Sequence, residues 1–273
     1  MTTWQVPAYR AVPLRPKGAR HAVCVFVLNE GQRLHAQLRK MRPLAERLDV
    51  IVADGGSGDG SVEPALLAGH GVRALLVKTG PGRLSAQMRM ALAFALGEGY
   101  EGVVVMDGND KDDPSALPAF ARALDAGCDH VQGSRFVRGG RAVNTPLARW
   151  LGRRLFHAPL VSLAARYRYT DTTNGFRAYS RRLLLDPRVA PFRDVFAGYE
   201  LHYYLAIRAA RLGFRVTEVP VTRAYPAKGA VPTKIKGLRG NWTILRTLVR
   251  ACLGHYDPHE PAAQARKGAF RHG

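Results

Sequence analysis

The chain has 273 residues, enough for one large α/β domain or two small ones. Its 47% apolar share is ordinary for a globular protein, but 41 Lys+Arg against 21 Asp+Glu give a net charge of +20 and point to an anionic partner. No run approaches the ~18 uncharged apolar residues of a membrane-spanning helix, and residues 1–20 lack the apolar segment of a signal peptide. The expectation is a cytoplasmic protein that meets lipid, if at all, peripherally on the inner face of a membrane. Cys24, Cys128 and Cys252 lie too far apart to suggest structural zinc.

Residues 1–20 hold three prolines and no periodic pattern, and are expected to form a loose arm. His21–Leu28 is a short apolar run of the kind buried on both faces of a parallel sheet. Glu30–Leu48 has helical periodicity. Val50–Ala53 is a second strand, followed by the glycine-rich turn Asp54–Gly60. Ala74–Lys78 is a third strand, and Thr79–Arg83 leads into a helix over Ser85–Leu96. Val103–Met106 is a fourth strand, Pro114–Ala126 a helix and His130–Gly133 a further strand. The alternation predicts a mostly parallel α/β sheet with helices on both faces. Beyond Arg135 the spacing predicts helices at Thr145–Ala165 and Glu200–Leu212, a loop at Asp171–Arg177 and a strand at Arg215–Val221. A basic loop, a helix near Leu238–Leu253 and a polar tail from 255 to 273 complete the chain.

Ligands of open parallel sheets bind beyond the carboxyl ends of the strands, where this sequence places Asn29 and Glu30, then Asp54 and Asp59, then Asp107 and Asn109. Each is also an ordinary turn or capping residue; three such ends on one sheet favour a pocket. The segment Val103–Pro114, VVVMDGNDKDDP, is the sharpest signal. Asp107 and Asn109 are spaced to share a hard divalent cation with phosphate oxygens, whereas Asp112 or Asp113 suits a helix cap before Pro114. The loop Gly80–Arg83 offers backbone N–H groups and Arg83 to phosphate, or is a plain turn. The window 135–182 contains eleven arginines and one acid, Asp171. Arginine's planar fork suits phosphate, while a solvated basic face is the ordinary alternative. The aromatics nearby match no RNA-binding signature, so nucleic acid is not expected.

The ordered motifs VFVLNE (25–30), VIVADGGSGDGS (50–61), VVVMDGNDKDDP (103–114), QGSRF (132–136), TDTTNGFRAYS (170–180), GYE (198–200) and EVPVTR (218–223) resemble family 2 glycosyltransferases of the GT-A fold. The likeness is to their dolichol-phosphate mannosyltransferase-like branch and runs from about 21 to 253. It implies one GT-A domain over 21–254, with a nucleotide-binding half to about 134 and an acceptor half from about 135. It further implies an NDP-sugar donor, a divalent metal (Mg or Mn) and inversion at the anomeric carbon. By that likeness Asn29, Glu30, Asp54 and Arg83 surround the donor, and Asp107 and Asn109 meet metal and diphosphate. Arg135, Asp171, Arg177, Lys228 and Lys234 fall in the acceptor and phosphate region, with Asp107, Arg135 and Glu200 as catalytic candidates.

The sequence departs from the family pattern at Gly55, Asn109, Lys111 and the segment YPAKGAVPTK (225–234). The favoured acceptor is a polyprenyl phosphate or another phosphate-bearing molecule. The rivals are an NDP-sugar transferase acting on a hydroxyl, with Glu200 or Asp171 as base, and a non-catalytic anion-binding homologue.

Overall fold

A computed structural model of the chain describes residues 4–44, 47–146, 152–226 and 237–258. Their strands are β1 (Tyr9–Pro13), β2 (His21–Val27), β3 (Leu48–Asp54), β4 (Ala74–Lys78), β5 (Gly102–Asp107), β6 (His130–Ser134), β7 (Arg141–Val143), β8 (Arg177–Ser180), β9 (Val216–Pro220) and β10 (Thr222–Ala224). The helices are α1 (Gln32–Met41), α2 (Pro64–Gly69), α3 (Leu84–Gly97), α4 (Leu117–Asp125), α5 (Ala158–Ala165), α6 (Arg181–Leu185), α7 (Glu200–Arg211) and α8 (Gly237–Cys252). A π-helical turn, Arg153–His157, leads into α5.

Eight strands form one sheet in the order β1-β4-β3-β2-β5-β8-β6-β9, and β10 pairs with β7 apart from it. β4, β3, β2 and β5 are mutually parallel, as the alternation predicts. β2 shows why the sheet is covered on both sides. All seven of its residues are buried, with Ala22, Cys24 and Phe26 in the apolar cluster under α3 and α7. Val23, Val25 and Val27 point the other way, into the cluster with α1 and α4. The result is the α/β/α layering expected of a GT-A domain.

Two elements differ from the expectations. Arg177–Ser180 is a strand, inserted antiparallel between β5 and β6, although only a loop was expected through Arg177. Four residues are too few for a periodic signal. The arm at 1–20 is also not loose where it is described: Tyr9–Pro13 pairs antiparallel with β4 along the sheet edge. Buried Asp49 anchors the approach to β2 by accepting from Gly18 N at 2.9 Å, Ala19 N at 3.0 Å and Arg15 Nη2 at 3.2 Å. Lys228, Lys234 and the tail from 259 lie outside the described residues.

Candidate active site

Parallel pairing brings the predicted acids to one edge. On either side of β2, Val27 lies opposite Asp54 and Phe26 opposite Asp107. The two acids therefore flank β2 about two strand spacings apart, roughly 10 Å.

On the β3 side the loops are stitched by their own polar groups. The Asp54 carboxylate, fully buried, accepts from Gly56 N at 3.1 Å, Ser57 N at 3.0 Å and Ser57 Oγ at 2.6 Å. Asn29, held at φ 50°, accepts from Gly58 N at 2.9 Å and donates its own N–H to Ser57 Oγ at 2.8 Å. Asp59 accepts from Gly31 N at 2.9 Å. Buried Glu30 accepts from the Arg33 guanidinium at 2.9 Å. Asn29 and Asp54 thus fix the loops beyond β2 and β3, and Arg83 stands exposed at the start of α3.

The backbone N–H groups expected to greet phosphate there are already engaged. Arg83 N donates to Ala197 O at 2.6 Å and Ser85 N to Gly198 O at 2.8 Å. The turn needs glycine at 82, where φ is +101° and a Cβ would stand 2.5 Å from Ala86 Cβ. This docking brings Glu200, at the start of α7, next to the α3 terminus; its carboxylate accepts from Gly198 N at 2.7 Å.

On the β5 side, α1 clamps the loop after Asp107. Gln37 donates to Asp107 O at 2.9 Å and accepts from Asp110 N at 2.8 Å. Lys40 meets Asp110 at 2.8 Å. Farther along, the loop pairs with β10: Asp113 N donates to Thr222 O at 3.0 Å and Ala224 N to Lys111 O at 2.8 Å. That backbone pairing delivers Arg223 between two carboxylates. Arg223 Nη2 lies 3.1 Å from Asp107 Oδ2, and Nη1 donates to Asp112. Asn109 Nδ2 also faces Asp107 Oδ2, at 3.4 Å. The Lys111 ammonium stands over the Tyr225 ring, 5.6 Å from its centroid.

The charges in this cluster act on one another. Burial raises the Asp107 carboxyl, but Arg223 and Lys111 outweigh it and hold it below the usual range. At Asp112 burial wins against Arg223 and the carboxyl is raised. Burial and the neighbouring Arg223 lower the Lys111 ammonium. His202, on the first turn of α7, is pushed down to about 3 by burial and by Arg177, with Asp107 pulling the other way.

A divalent ion on Asp107 and Asn109 was the expectation. One carboxylate oxygen is bound by a guanidinium, the second ligand position is a neutral amide, and a lysine completes the group. Among the described residues no three His, Cys, Asp or Glu side chains gather. Without the diphosphate oxygens on which the expected site also relies, this donor set is too small to hold a divalent ion.

The acceptor-side arginines are also corrected by the structure. Arg135 pairs with Asp171 through Nε–Oδ2 at 2.6 Å and Nη2–Oδ1 at 2.8 Å, with both side chains fully buried. Burial raises the Asp171 carboxyl, but Arg135 more than reverses it. Arg177, also fully buried, donates to the carbonyls of Asn174, Thr172 and His202. Both guanidiniums are thus committed to acceptors within the protein, and the Asp171 carboxylate is paired, as a buried charge must be. The sequence reading missed Arg223, Asp112 and His202. Arg223 closes the EVPVTR motif, the one signal that marked it. Asp112 was taken with Asp113 as a cap, yet only Asp113 caps, accepting from Ser115 N at 2.9 Å. Nothing marked His202.

Comparison with known proteins agrees with this architecture. The profile of Glycosyl transferase family 2 matches residues 22–186. An undecaprenyl-phosphate mannosyltransferase of Micrococcus luteus is 32% identical over 200 residues, 71% of this chain and 79% of that protein. A polyprenol monophosphomannose synthase of Mycolicibacterium smegmatis is 29% identical over 210 residues, 74% of this chain and 77% of that protein. Among solved structures, glucosyl-3-phosphoglycerate synthase from Mycobacterium tuberculosis, in complex with Mn2+, UDP and phosphoglyceric acid, superposes with a TM-score of 0.61. It shares 22% identity, covering 88% of this chain and 80% of that one, and so speaks to the fold. The chain belongs to glycosyl transferase family 2, in its dolichol-phosphate mannosyltransferase-like branch.

Proposed function

We propose that the protein is an inverting glycosyltransferase that moves a sugar from an NDP-sugar to a polyprenyl phosphate. The observation that carries the reading is the edge formed by β3, β2 and β5. There Asp54 and Asp107 lie at the ends of β3 and β5 on either side of β2, Arg223 and Lys111 stand beside Asp107, and Arg83 is exposed at the start of α3. In a single displacement the acceptor oxygen bonds to C1 of the sugar as the C1–O bond to the diphosphate breaks. The electron pair leaves with the NDP, and these cations meet the charge that develops there. A phosphate acceptor oxygen is already anionic and needs no base. That agrees with Asp171 being locked in an ion pair and Glu200 being tied to Gly198 N.

A second observation favours a lipid-borne acceptor over a hydroxyl. Leu155, Phe156, Leu160, Leu163, Leu245 and Leu248 line an open apolar groove of about 610 Å³ between the α5 region and α8. Phe156 and Leu163 are 69% and 80% exposed. A groove of this kind would suit an isoprenoid chain. No helix among the described residues is long and apolar enough to cross a membrane. Contact with a membrane would be peripheral, and +20 of net charge favours an anionic surface.

The test measures NDP release from a panel of NDP-hexoses with a polyprenyl phosphate, a soluble phosphorylated acceptor, or a simple alcohol. Turnover is expected with the polyprenyl phosphate, and Glu200→Gln should retain most of kcat. Turnover confined to the alcohol and abolished by Glu200→Gln would establish the hydroxyl reading instead. Turnover confined to the soluble phosphate would exclude the lipid.

A further inference from the structure

Arg223 is placed by main-chain geometry before any side-chain preference enters. The loop after Asp107 and strand β10 hydrogen-bond at Asp113–Thr222 and at Ala224–Lys111, with Asp112 bridged to Arg223 between them. The guanidinium that results spans Asp107 and the fully buried Asp112. Arg223 is itself buried, with 9% of its side chain exposed, and so cannot swing to another partner without leaving Asp112 uncompensated. Lys111 enters from the same loop, and its ammonium feels Asp107, Asp112 and Arg223. Two carboxylates and two basic side chains therefore share the end of β5. A pair of carboxylates reaches the same balance by binding one divalent ion, whose charge equals that of Arg223 and Lys111 together. The spacing Asp107–Asn109 is consistent with this exchange, since a neutral amide adds no charge for a metal to answer.

We propose that Arg223 and Lys111 are a built-in dication that takes the place of a divalent metal in binding the donor's diphosphate, so that nucleotide binding does not depend on metal. The inference rests on the NDP-sugar reading above and deepens it. Arginine suits the task, because its planar fork holds Asp107 and Asp112 at once and so fixes a positive charge at the end of β5, where the donor's phosphate oxygens would come. It also predicts how metal use could be introduced. Asn109→Asp together with Lys111→Gln adds one carboxylate and removes one cation, leaving the oxygen donors that a hard cation needs.

The experiment titrates UDP and GDP into the full chain by calorimetry, once with EDTA and once with Mn2+, and follows Mn2+ itself by electron paramagnetic resonance. The wild type is expected to bind one of the nucleotides with a Kd that differs by less than about threefold between the two buffers, and to leave the Mn2+ signal that of the free ion. Lys111→Gln should weaken binding by about tenfold in EDTA. Asn109→Asp/Lys111→Gln should restore binding only with Mn2+, with an altered Mn2+ spectrum. These two variants leave Arg223 and Asp112 paired, so they keep the test open even if Arg223→Met fails to fold. Wild-type binding that requires Mn2+ would overturn the inference and leave the glycosyltransferase reading standing. Absence of nucleotide binding in both buffers would overturn both.

Discussion

Asp54 at the end of β3 and Asp171 in the loop before β8 are both fully buried carboxylates, yet only one of them has a cation for a partner. Asp54 is held by two N–H groups and a hydroxyl of its own turn. Asp171 has a similar turn, through Thr173 N at 3.1 Å, and adds both arms of Arg135. The contrast extends to the regions around them. Beyond β2 and β3 the strand-end loops are knit by short polar side chains and glycine amides. From residue 135 onward, Arg135, Arg177 and Arg223 reach inward to acids and carbonyls. An arginine-rich window is therefore not by itself a phosphate site: some of its charges neutralise the interior, and the local acid count does not reveal which.

The largest expected effect tests that contrast directly. Arg135→Met would leave Asp171 charged, buried and without its bidentate partner, and is expected to cost about 3–5 kcal/mol in urea unfolding. Asp54→Asn keeps an acceptor oxygen for the turn and should cost about 1–2 kcal/mol. Arg83→Ala, at an exposed position, should leave stability unchanged while raising the KM for the donor. If Arg135→Met instead folds as stably as the wild type and only the acceptor KM rises, Arg135 faces phosphate and the contrast collapses.

The first half of the chain, with its parallel strands, was the more legible part of the sequence, and the reason is physical. Buried parallel strands demand continuous β-branched runs, so His21–Leu28 and Val103–Met106 announce themselves, and strand-end acids follow from where each run stops. Asp107 could be placed by that logic alone. Short antiparallel insertions such as β8, and edge strands such as β1, carry no run long enough to read. The partners of Arg135, Arg177 and Arg223 are hidden for another reason. They lie 36 residues away at Asp171, on neighbouring carbonyls, and 116 residues away at Asp107. Only the closed sheet brings such pairs together, and nothing local distinguishes an arginine destined for the interior from one that stays in water.

A second effect, intermediate in size, follows from two histidines beside Arg177. His130 and His202 lie near Arg177, and each is lowered first by burial and then by that guanidinium, His202 to about 3 and His130 well below its ordinary value. The native state therefore refuses protons that the unfolded chain accepts below about pH 6.5. The unfolded state binds more protons, so stability rises with pH in that range. The contribution is complete above pH 6.5 and is lost as the pH falls toward 3. Each histidine adds a slope of at most about 1.4 kcal/mol per pH unit. Thermal unfolding should accordingly show a Tm that is level above pH 7 and falls from pH 6.5 to 4, and His130→Gln should flatten the fall. A Tm independent of pH over that interval would mean that the fold does not hold these rings neutral.

The smallest effect comes from Asp49, which combines both modes of satisfaction. Its buried carboxylate accepts from the amides of Gly18 and Ala19, from Arg15, and from Tyr100 Oη at 2.8 Å. Burial, together with this acidic neighbour, pushes the Tyr100 hydroxyl above its usual range, so it acts as a donor at any ordinary pH. Tyr100→Phe deletes one donor and leaves three, one of them the cation Arg15. The expected cost is about 1 kcal/mol, well below that of stripping Asp171 of its arginine. Hydrogen exchange at Gly18 and Ala19 should be nearly unchanged, because their acceptor remains in place. A loss of 3 kcal/mol or more, with faster exchange at those two amides, would show that the neutral hydroxyl rather than the backbone holds Asp49. The division between backbone-satisfied and arginine-satisfied acids would then need a third class.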